Sequence, residues 1–330
     1  MTHLTEFFGP VLGVMRFEDL TEAIDIVNGT GYGLTSAIHS LDDREIAQWK
    51  GGIRAGNLYI NRGTTGAIVL RQPFGGMGKS CFGPGLKAGG PNYVASFLRF
   101  ADRPAPTANV AALAAIRNAD LASLVEEVRS SRAPSETAWL LSAIASYDAA
   151  WSDEFSKEHD HFRLIGQDNF RRYLPFREVC LRITAQDRFE EVVARAAAAR
   201  VTGARVLACF APGAPKEWRA RLDEWTDSWA AGIEIFEQTD AAFAQHVRDG
   251  HWPRIRFAGR EQVSSDLRKI AAESGTWLAD VPVVSEGRVE LLWYLREQSL
   301  SHDYHRYGNL GARASEPRRP LVPPTGGNRG

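Results

Sequence analysis

The chain has 330 residues, 44% of them hydrophobic and 24% charged, which is ordinary for a globular protein with one large or two medium domains. Its formal net charge of −1 excludes the strongly basic balance of proteins that bind nucleic acid or anionic membranes by charge. Three scattered cysteines exclude a disulfide framework, and no apolar run reaches the length of a membrane span or resembles a signal peptide. The histidine clusters at 159–161 and 302–305 lack further ligands at a recognisable spacing. We therefore expect a cytoplasmic protein with no metal site, no membrane span and no nucleic-acid partner.

Residues 1–100 alternate strand and helix signals. Helix starts are indicated at Asp19 and Asp42, each followed three residues later by a glutamate in the pattern of a capping box. The predicted elements are a strand over 11–17, a helix from Asp19, a strand over 34–40, a helix from Asp42 to the glycines 51–52, and a strand over 57–61. Because this βαβαβ unit would leave parallel strand edges unpaired, we expect it to be cut from a larger domain.

The rest of the chain shows a linker, a helical stretch and a second alternating unit. A Pro/Ala-rich linker is predicted over 102–109, and the alanine-rich residues 110–158 predict two helices separated at Pro134. The second unit has predicted strands over 179–183, 205–210, 232–236, 254–257 and 277–284, and helices over 189–196, 215–225, 240–248 and 261–273. This pattern predicts a doubly wound, mostly parallel sheet. The Pro/Gly/Arg-rich residues 311–330 are predicted to be disordered.

A glycine- and threonine-rich loop follows the predicted strand over 57–61. It has the sequence GTTGAIVL (63–70) and runs into a glycine turn, QPFGG (72–76). Glycine allows close approach of the backbone to a ligand, and successive loop N–H groups form a concavity suited to an anion. A tight structural loop between two elements is the alternative. A second compact motif, EFFGP (6–10), precedes the first predicted strand.

These two motifs together resemble the C-terminal part of the catalytic domain of aldehyde dehydrogenases. The sequence TTGAIV…QPFGG resembles the corresponding motif of the L-glutamate γ-semialdehyde (1-pyrroline-5-carboxylate) dehydrogenase branch, which includes the bifunctional proline utilization A enzymes. The stretches GQDNFRRY (166–173) and SHDYHRYGN (301–309) resemble the C-terminal extension of long proline utilization A proteins.

The resemblance implies an α/β fold in four parts. These are the C-terminal part of an aldehyde dehydrogenase catalytic domain (1–100), a linker with helices (101–162), a non-catalytic, Rossmann-like, doubly wound α/β domain (163–300) and a C-terminal tail (301–330).

The resemblance also implies site residues. Glu6 would hold the nicotinamide ribose hydroxyls of NAD, and Phe8 would lie by the nicotinamide. Backbone N–H groups at Gly66 and Ala67 would bind the α-carboxylate of the substrate, and Phe74 would pack on its aliphatic chain. A structural cap is the alternative for Glu6, and a tight glycine loop is the alternative for Gly66 and Ala67.

Other nucleotide-binding motifs are not met. The segment Gly76-Met-Gly-Lys-Ser80 resembles the end of a P-loop, but Pro73 stands where that motif needs glycine. The segment Gly83-Pro-Gly-Leu-Lys-Ala88 fits G-x-G-x-x-A but follows a loop and no strand. The first strand of the second unit is followed by Thr184-Ala-Gln-Asp187, which has no glycine to admit a pyrophosphate.

No cysteine matches the nucleophile of the family, which lies upstream of the EFFGP stretch, as does the glutamate that activates the hydrolytic water. Cys81 follows the QPFGG turn, so no catalytic residue is assigned in this chain. We expect a C-terminal fragment of an NAD-dependent enzyme that oxidises L-glutamate γ-semialdehyde to glutamate in proline catabolism. Alone it should be inactive and bind no NAD, and its expected partners are a second copy or the missing N-terminal part. The alternative is a non-catalytic assembly or interaction protein derived from such an enzyme.

Overall fold

The structure is a computed structural model that describes residues 2–102, 110–131 and 134–319. Its strands are β1 Tyr32–Gly33, β2 Thr35–Ile38, β3 Asn57–Ile60, β4 Met77–Gly78, β5 Gln167–Pro175, β6 Glu178–Ile183, β7 Arg205–Phe210, β8 Ile233–Glu237, β9 Arg254–Arg256, β10 Trp277–Ala279 and β11 Leu295–Asp303. Its helices are α1 Leu20–Gly29, α2 Asp43–Gly52, α3 Val110–Ala114, α4 Ala119–Ser131, α5 Pro134–Ala150, α6 Phe189–Val201, α7 Lys216–Trp225, α8 Asp240–Arg248, α9 Ser265–Ser274 and α10 Gly287–Glu290. Within these ranges no helix has both the length and the apolar character that crossing a membrane requires. The linker predicted over 102–109 lies outside the described residues except for Asp102.

Five parallel strands form the sheet of the second unit, in the order β10-β9-β6-β7-β8. Val179, Leu181 and Ile183 of β6 face a core that they share with helix α6. Cys180 of the same strand faces a second core, formed with helices α8 and α9. Successive side chains of one strand are therefore buried on opposite faces, as a parallel sheet covered by helices on both sides requires. The prediction of a Rossmann-like, doubly wound α/β fold is confirmed.

Helices α4 and α5 contribute to the larger of these two cores. Leu121, Leu124, Ile144 and Tyr147 are buried in the same cluster as α6 and the odd-numbered residues of β6. The stretch predicted to form two helices contains three, α3 to α5, of which α4 and α5 pack directly against the sheet of the second unit. The division of the chain at residues 101–162, 163–300 and 301–330 stays a prediction.

The first hundred residues contain both predicted helices with their predicted caps. The carboxylate of Asp19 accepts a hydrogen bond from the Glu22 N–H at 2.9 Å, and that of Asp42 accepts one from the Arg44 N–H at 2.8 Å. Each carboxylate satisfies an N–H group that the first helical turn leaves without a partner. Helix α2 ends at Gly52, as the glycine pair indicates.

Strand β11 joins the two ends of the chain in one sheet. It is an inner strand of the mixed sheet β2-β3-β11-β5, parallel to β3 and antiparallel to β5. All four residues of β3 are buried there. Neither β5 nor β11 is predicted from the sequence, because polar residues interrupt their apolar alternation. Those polar side chains are buried with partners: Gln298 Nε2 donates to Ala55 O at 2.8 Å, and Ser299 Oγ donates to Pro73 O at 2.6 Å.

Two predictions are wrong near the chain ends. Residues 11–17, predicted to form a strand, are exposed and form none. A strand needs a neighbour to pair with its backbone N–H and C=O groups, and no strand among the described residues pairs with this segment. Residues 311–319 are ordered by ion pairs, in which Arg313 and Arg318 donate to the carboxylate of Asp168 at 2.8 and 2.6 Å. Residues 320–330, also predicted to be disordered, lie outside the described part of the chain.

Replacing the fully buried Ile144 by alanine should test the packing of α5 against the second sheet. Removing the buried side chain should lower the free energy of unfolding of the whole chain by about 2–5 kcal/mol, measured by urea denaturation. The exposed Leu41 offers a control, and Leu41→Ala should change that free energy by less than about 0.5 kcal/mol. Equal effects of the two substitutions would contradict the packing.

Candidate functional site

The loop predicted to bind a carboxylate, residues 63–70, is exposed after the end of β3. Gly66 has a φ of +81°, in the left-handed region that glycine adopts without strain. In the part of the chain that the structure describes, the N–H groups of Gly66 and Ala67 donate to no protein acceptor. Both are therefore accessible to a bound anion, which is what the predicted role needs.

The loop and the glycine turn lie against the same short stretch of backbone. The Leu70 N–H donates to Gly89 O at 2.8 Å. Phe74 and Ala88 exchange two backbone hydrogen bonds at 2.9 and 3.0 Å, and the Phe74 side chain stays 39% exposed. The structure thus brings the loop that contains Gly66 and Ala67 next to Phe74. The binding roles of these three residues stay predictions.

Two buried polar side chains hold the glycine turn in place. Asn57 Nδ2 donates to Pro73 O at 3.0 Å, and its Oδ1 accepts from the Gly75 N–H at 3.1 Å. Lys87 Nζ donates to Gly75 O, and burial lowers the pKa of Lys87 to about 8. A side chain at Gly56 would collide with Gly75 O, so the close approach needs glycine. The structural roles of Asn57 and Lys87 were not predicted from the sequence. For Asn57 a signal was available, because it is a polar residue at the start of an otherwise apolar strand.

Gln72 links the loop to the second unit. Its side chain is 1% exposed, and its Oε1 accepts from the Ile68 N–H at 3.2 Å. Its Nε2 donates to Asn169 Oδ1 of β5 and to Ser301 Oγ of β11, the second at 3.2 Å. Arg62 Nη1 donates to the same Ser301 Oγ at 2.7 Å. Both ends of the loop are therefore held by strands β5 and β11, which were not predicted from the sequence. These partners are needed because leaving the buried amide of Gln72 without hydrogen bonds would cost free energy.

The structure does not bring Glu6 and Phe8 to this loop. The Phe8 side chain is fully exposed, and Glu6 is exposed as well. The backbone hydrogen bonds of this segment are local, from the Gly9 N–H to Phe7 O and from the Val11 N–H to Gly9 O. The described residues alone thus form no complete cofactor site around these two side chains, and their roles toward NAD stay predictions.

The first strand-to-helix loop of the second unit binds a carboxylate of its own chain. Asp187 accepts from the Thr184 N–H at 2.6 Å and from the Thr184 hydroxyl at 3.0 Å. It also forms a fully buried ion pair with Arg195, which donates to Arg182 O and Arg256 O at the ends of β6 and β9. In dinucleotide-binding folds this position receives the pyrophosphate. Here the loop has no glycine and its Thr184 N–H group binds the Asp187 side chain, so it lacks the glycine-rich pyrophosphate contact of those folds.

Metal ligation has no support in the described ranges. Within them, no group of three or more His, Cys, Asp or Glu side chains is arranged to hold a metal ion. His159 and His161 stack on each other with ring centroids 6.1 Å apart, and His159 lies 3.5 Å from the Glu154 carboxylate.

Comparison with known proteins finds relatives for the first hundred residues. The aldehyde dehydrogenase family model matches residues 2–101. The bifunctional protein PutA of Rhizobium meliloti is 52% identical over 101 residues, which are 30% of this chain and 8% of that protein. The 1-pyrroline-5-carboxylate dehydrogenase of Bacillus cytotoxicus is 48% identical over 94 residues, which are 28% of this chain and 18% of that protein.

A solved structure extends the similarity to nearly the whole chain. Proline utilization A (PutA) from Corynebacterium freiburgense matches with a TM-score of 0.64 and 34% sequence identity, over 93% of this chain and 26% of that one. The chain therefore spans about a quarter of the length of the solved relative and less of the curated ones. Residues 2–101 therefore match the aldehyde dehydrogenase family, and PutA and 1-pyrroline-5-carboxylate dehydrogenase are homologues of this segment.

Proposed function

We propose that this chain is the C-terminal part of an NAD-dependent L-glutamate γ-semialdehyde dehydrogenase of proline catabolism. The observation that supports it most is the loop at Gly66 and Ala67, which offers two exposed N–H groups on a firmly held base. That loop lies in the segment that is 52% identical to a PutA protein.

The substrate in this proposal has a carboxylate at one end and an aldehyde at the other. The N–H groups of Gly66 and Ala67 bind the α-carboxylate, since oriented backbone amides stabilise an anion without a cationic side chain. The half-exposed Phe74 covers the aliphatic chain between the two ends. Gln72 keeps the loop in register with the buried turn that carries Phe74.

The chemical step needs groups that this chain does not supply. NAD, when bound, accepts the hydride that leaves the substrate, and Glu6 with Phe8 would orient its nicotinamide ribose. Cys180 and Cys209 are fully buried, and Cys81 follows the glycine turn, where the family has no nucleophile. A cysteine nucleophile from another part of the protein is therefore required.

A non-catalytic assembly protein derived from such an enzyme is the second candidate. The observation in its favour is the number of large apolar side chains exposed on the first hundred residues, among them Phe8, Leu12, Val14, Phe82 and Phe97. Where such side chains form a contiguous patch, the patch marks an interaction face. In the first proposal the remainder of the enzyme covers that face. In the second, another protein does.

The purified 330-residue chain should not reduce NAD in the presence of γ-semialdehyde. The reason is the missing nucleophile, and the measurement is the absorbance of NADH. Turnover above background that Glu6→Ala abolishes would contradict the proposal that the chemistry needs another part of the protein.

In a calorimetric titration with NAD, the same chain should show a dissociation constant above the millimolar range. The loop after the first strand of the second unit has no glycine and holds the Asp187–Arg195 pair, and Glu6 and Phe8 lie on an exposed segment. A micromolar dissociation constant would show that one of these two regions accepts the cofactor after all.

Replacing Ala67 by proline should impair the intact enzyme, with the missing part joined upstream in one chain. Proline removes the N–H group that binds the α-carboxylate, and loss of a charge-assisted hydrogen bond is worth roughly 1.5–3 kcal/mol. We expect kcat/KM for γ-semialdehyde to fall about ten- to a hundredfold.

Two controls separate binding from damage to the loop. Propanal has no carboxylate, so its kcat/KM should change little in Ala67→Pro. Ala67→Gly keeps the N–H group and should retain most of the activity toward γ-semialdehyde. Equal losses for both substrates would mean that residues 63–70 are a structural loop.

A further inference from the structure

Two arginines from distant parts of the chain meet at one aromatic ring. The guanidinium carbons of Arg254 and Arg296 lie 4.3 and 4.5 Å from the centre of the Phe176 ring. Arg254 is 3% exposed, and its guanidinium also lies 4.5 Å from the Trp277 ring. Two like charges thus contact one ring, largely out of water, an arrangement that is unfavourable unless an opposite charge is near.

No such opposite charge comes from the part of the chain that the structure describes. Both Nη atoms of Arg254 donate to backbone carbonyl oxygens, Nη1 to those of Trp293 and Leu295 and Nη2 to those of Gly83 and Pro84, which satisfies these N–H groups without neutralising the charge. Within the described residues neither Arg254 nor Arg296 pairs with a carboxylate. The Nε–H groups of both are buried without any hydrogen-bond partner there.

The pKa values of Arg254 and Arg296 are consistent with two buried cations that lack an opposite charge. Burial lowers the pKa of Arg254, and the neighbouring Arg296 lowers it further. Burial likewise lowers the pKa of Arg296, with Arg54 as a second repelling cation. A bound anion would reverse the effect of these repulsions on both guanidinium groups.

A small cavity adjoins the pair. It has a volume of about 90 Å³ and is lined by Arg254, Arg296, Cys81 and the glycines 76, 78, 83 and 85. That volume is well below the roughly 300 Å³ at which pockets for drug-sized ligands begin, so the cavity suits only a small group. Gly83 and Gly85 have φ values of +115° and +80°, which glycine adopts without strain, and a side chain at Gly83 would meet open space.

We propose that the cavity between Arg254 and Arg296 is a binding site for a doubly charged oxyanion of the phosphate type. Two guanidinium groups match the charge of one dianion, and the buried Nε–H groups of Arg254 and Arg296, which lack a partner in the described chain, are donors for its oxygens. A singly charged carboxylate would leave one of the two charges unbalanced. The dianion is either a free ion or the phosphate group of a larger molecule.

The structure has space for a phosphate ester next to the small cavity. Arg296 and Phe176 also line a larger, adjoining cavity of about 590 Å³, which includes Arg177 and Arg205. The body of a phosphate ester would extend into this space while its phosphate occupies the small cavity.

Cys81 provides the readout, because its half-buried thiol lines the small cavity whereas Cys180 and Cys209 are fully buried. The full-length chain is alkylated with iodoacetamide, a neutral reagent, at constant ionic strength, and modification of Cys81 is followed by mass spectrometry. Inorganic phosphate should slow the reaction at least threefold along a saturable curve, and sulfate should act in the same way. Acetate and chloride at equal ionic strength should have no saturable effect. Glycerol 3-phosphate that protects at lower concentration than phosphate assigns the site to an ester, and the reverse order assigns it to the free ion.

Substitutions locate the effect. Arg296→Gln should abolish protection by phosphate, while Arg129→Gln, on the exposed face of α4, should leave it unchanged. Far-UV circular dichroism and a urea midpoint establish that each variant is folded. If Arg296→Gln does not fold, the exposed Arg54 serves instead, and Arg54→Gln should weaken the apparent affinity for phosphate at least twofold. The proposal is overturned if phosphate gives the wild-type chain no protection, if acetate protects equally, or if protection is independent of these arginines.

Discussion

The parallel pairing of β11 with β3 is the contact on which the arrangement of the two units depends. Ser299 lies opposite Asn57 in this pairing, although about three quarters of the chain separates the two residues. The same strand supplies Gln298 and Ser299, whose side chains donate to backbone oxygens of the first segment. Because β11 pairs with β5 on its other edge, the second unit holds the first through a shared sheet, in addition to side-chain packing.

Buried charge organises the carboxyl edge of the five-stranded sheet. Arg195 pairs with Asp187, and Arg256 pairs with Glu290, all four of them with fully buried side chains. Tyr294 donates to the same Glu290 carboxylate at 2.9 Å. Removing one member of such a pair leaves an uncompensated buried charge, which costs several kcal/mol. Two buried ion pairs therefore lie beside the strand ends at which other folds of this topology bind a nucleotide.

Local chemistry explains which parts of the fold could be predicted from the sequence. The caps at Asp19 and Asp42 and the apolar alternation of β6 are set by neighbouring residues, so the pattern alone indicates them. Strands β5 and β11 were missed because the polar residues of QDNFRRYLP and LREQSLSHD become buried only when their distant partners are in place. The strand predicted over 11–17 failed for the opposite reason, since its apolar pattern has no partner in the described chain.

The candidate site likewise has parts that could be predicted from local sequence and parts that depend on distant contacts. The glycine loop at Gly66 and the turn at Phe74 could be identified from the sequence, because glycine permits such tight loops and the two motifs resemble those of the γ-semialdehyde dehydrogenase branch. Their support by Gln72, Asn169 and Ser301 could not, since these three meet only through contacts between distant parts of the chain. Arg254 and Arg296 are likewise unremarkable in sequence, and only their shared contact with Phe176 singles them out.

The position of β11 also bears on the order of events during synthesis. A ribosome releases β3 long before it reaches β11, so the edge of β3 that β11 will occupy stays unpaired while most of the chain is still being made. Contacts of such long sequence separation form slowly, and an open strand edge in the meantime is a template for association with other chains. The nascent first segment is therefore exposed to chaperones and to aggregation until the final strand emerges.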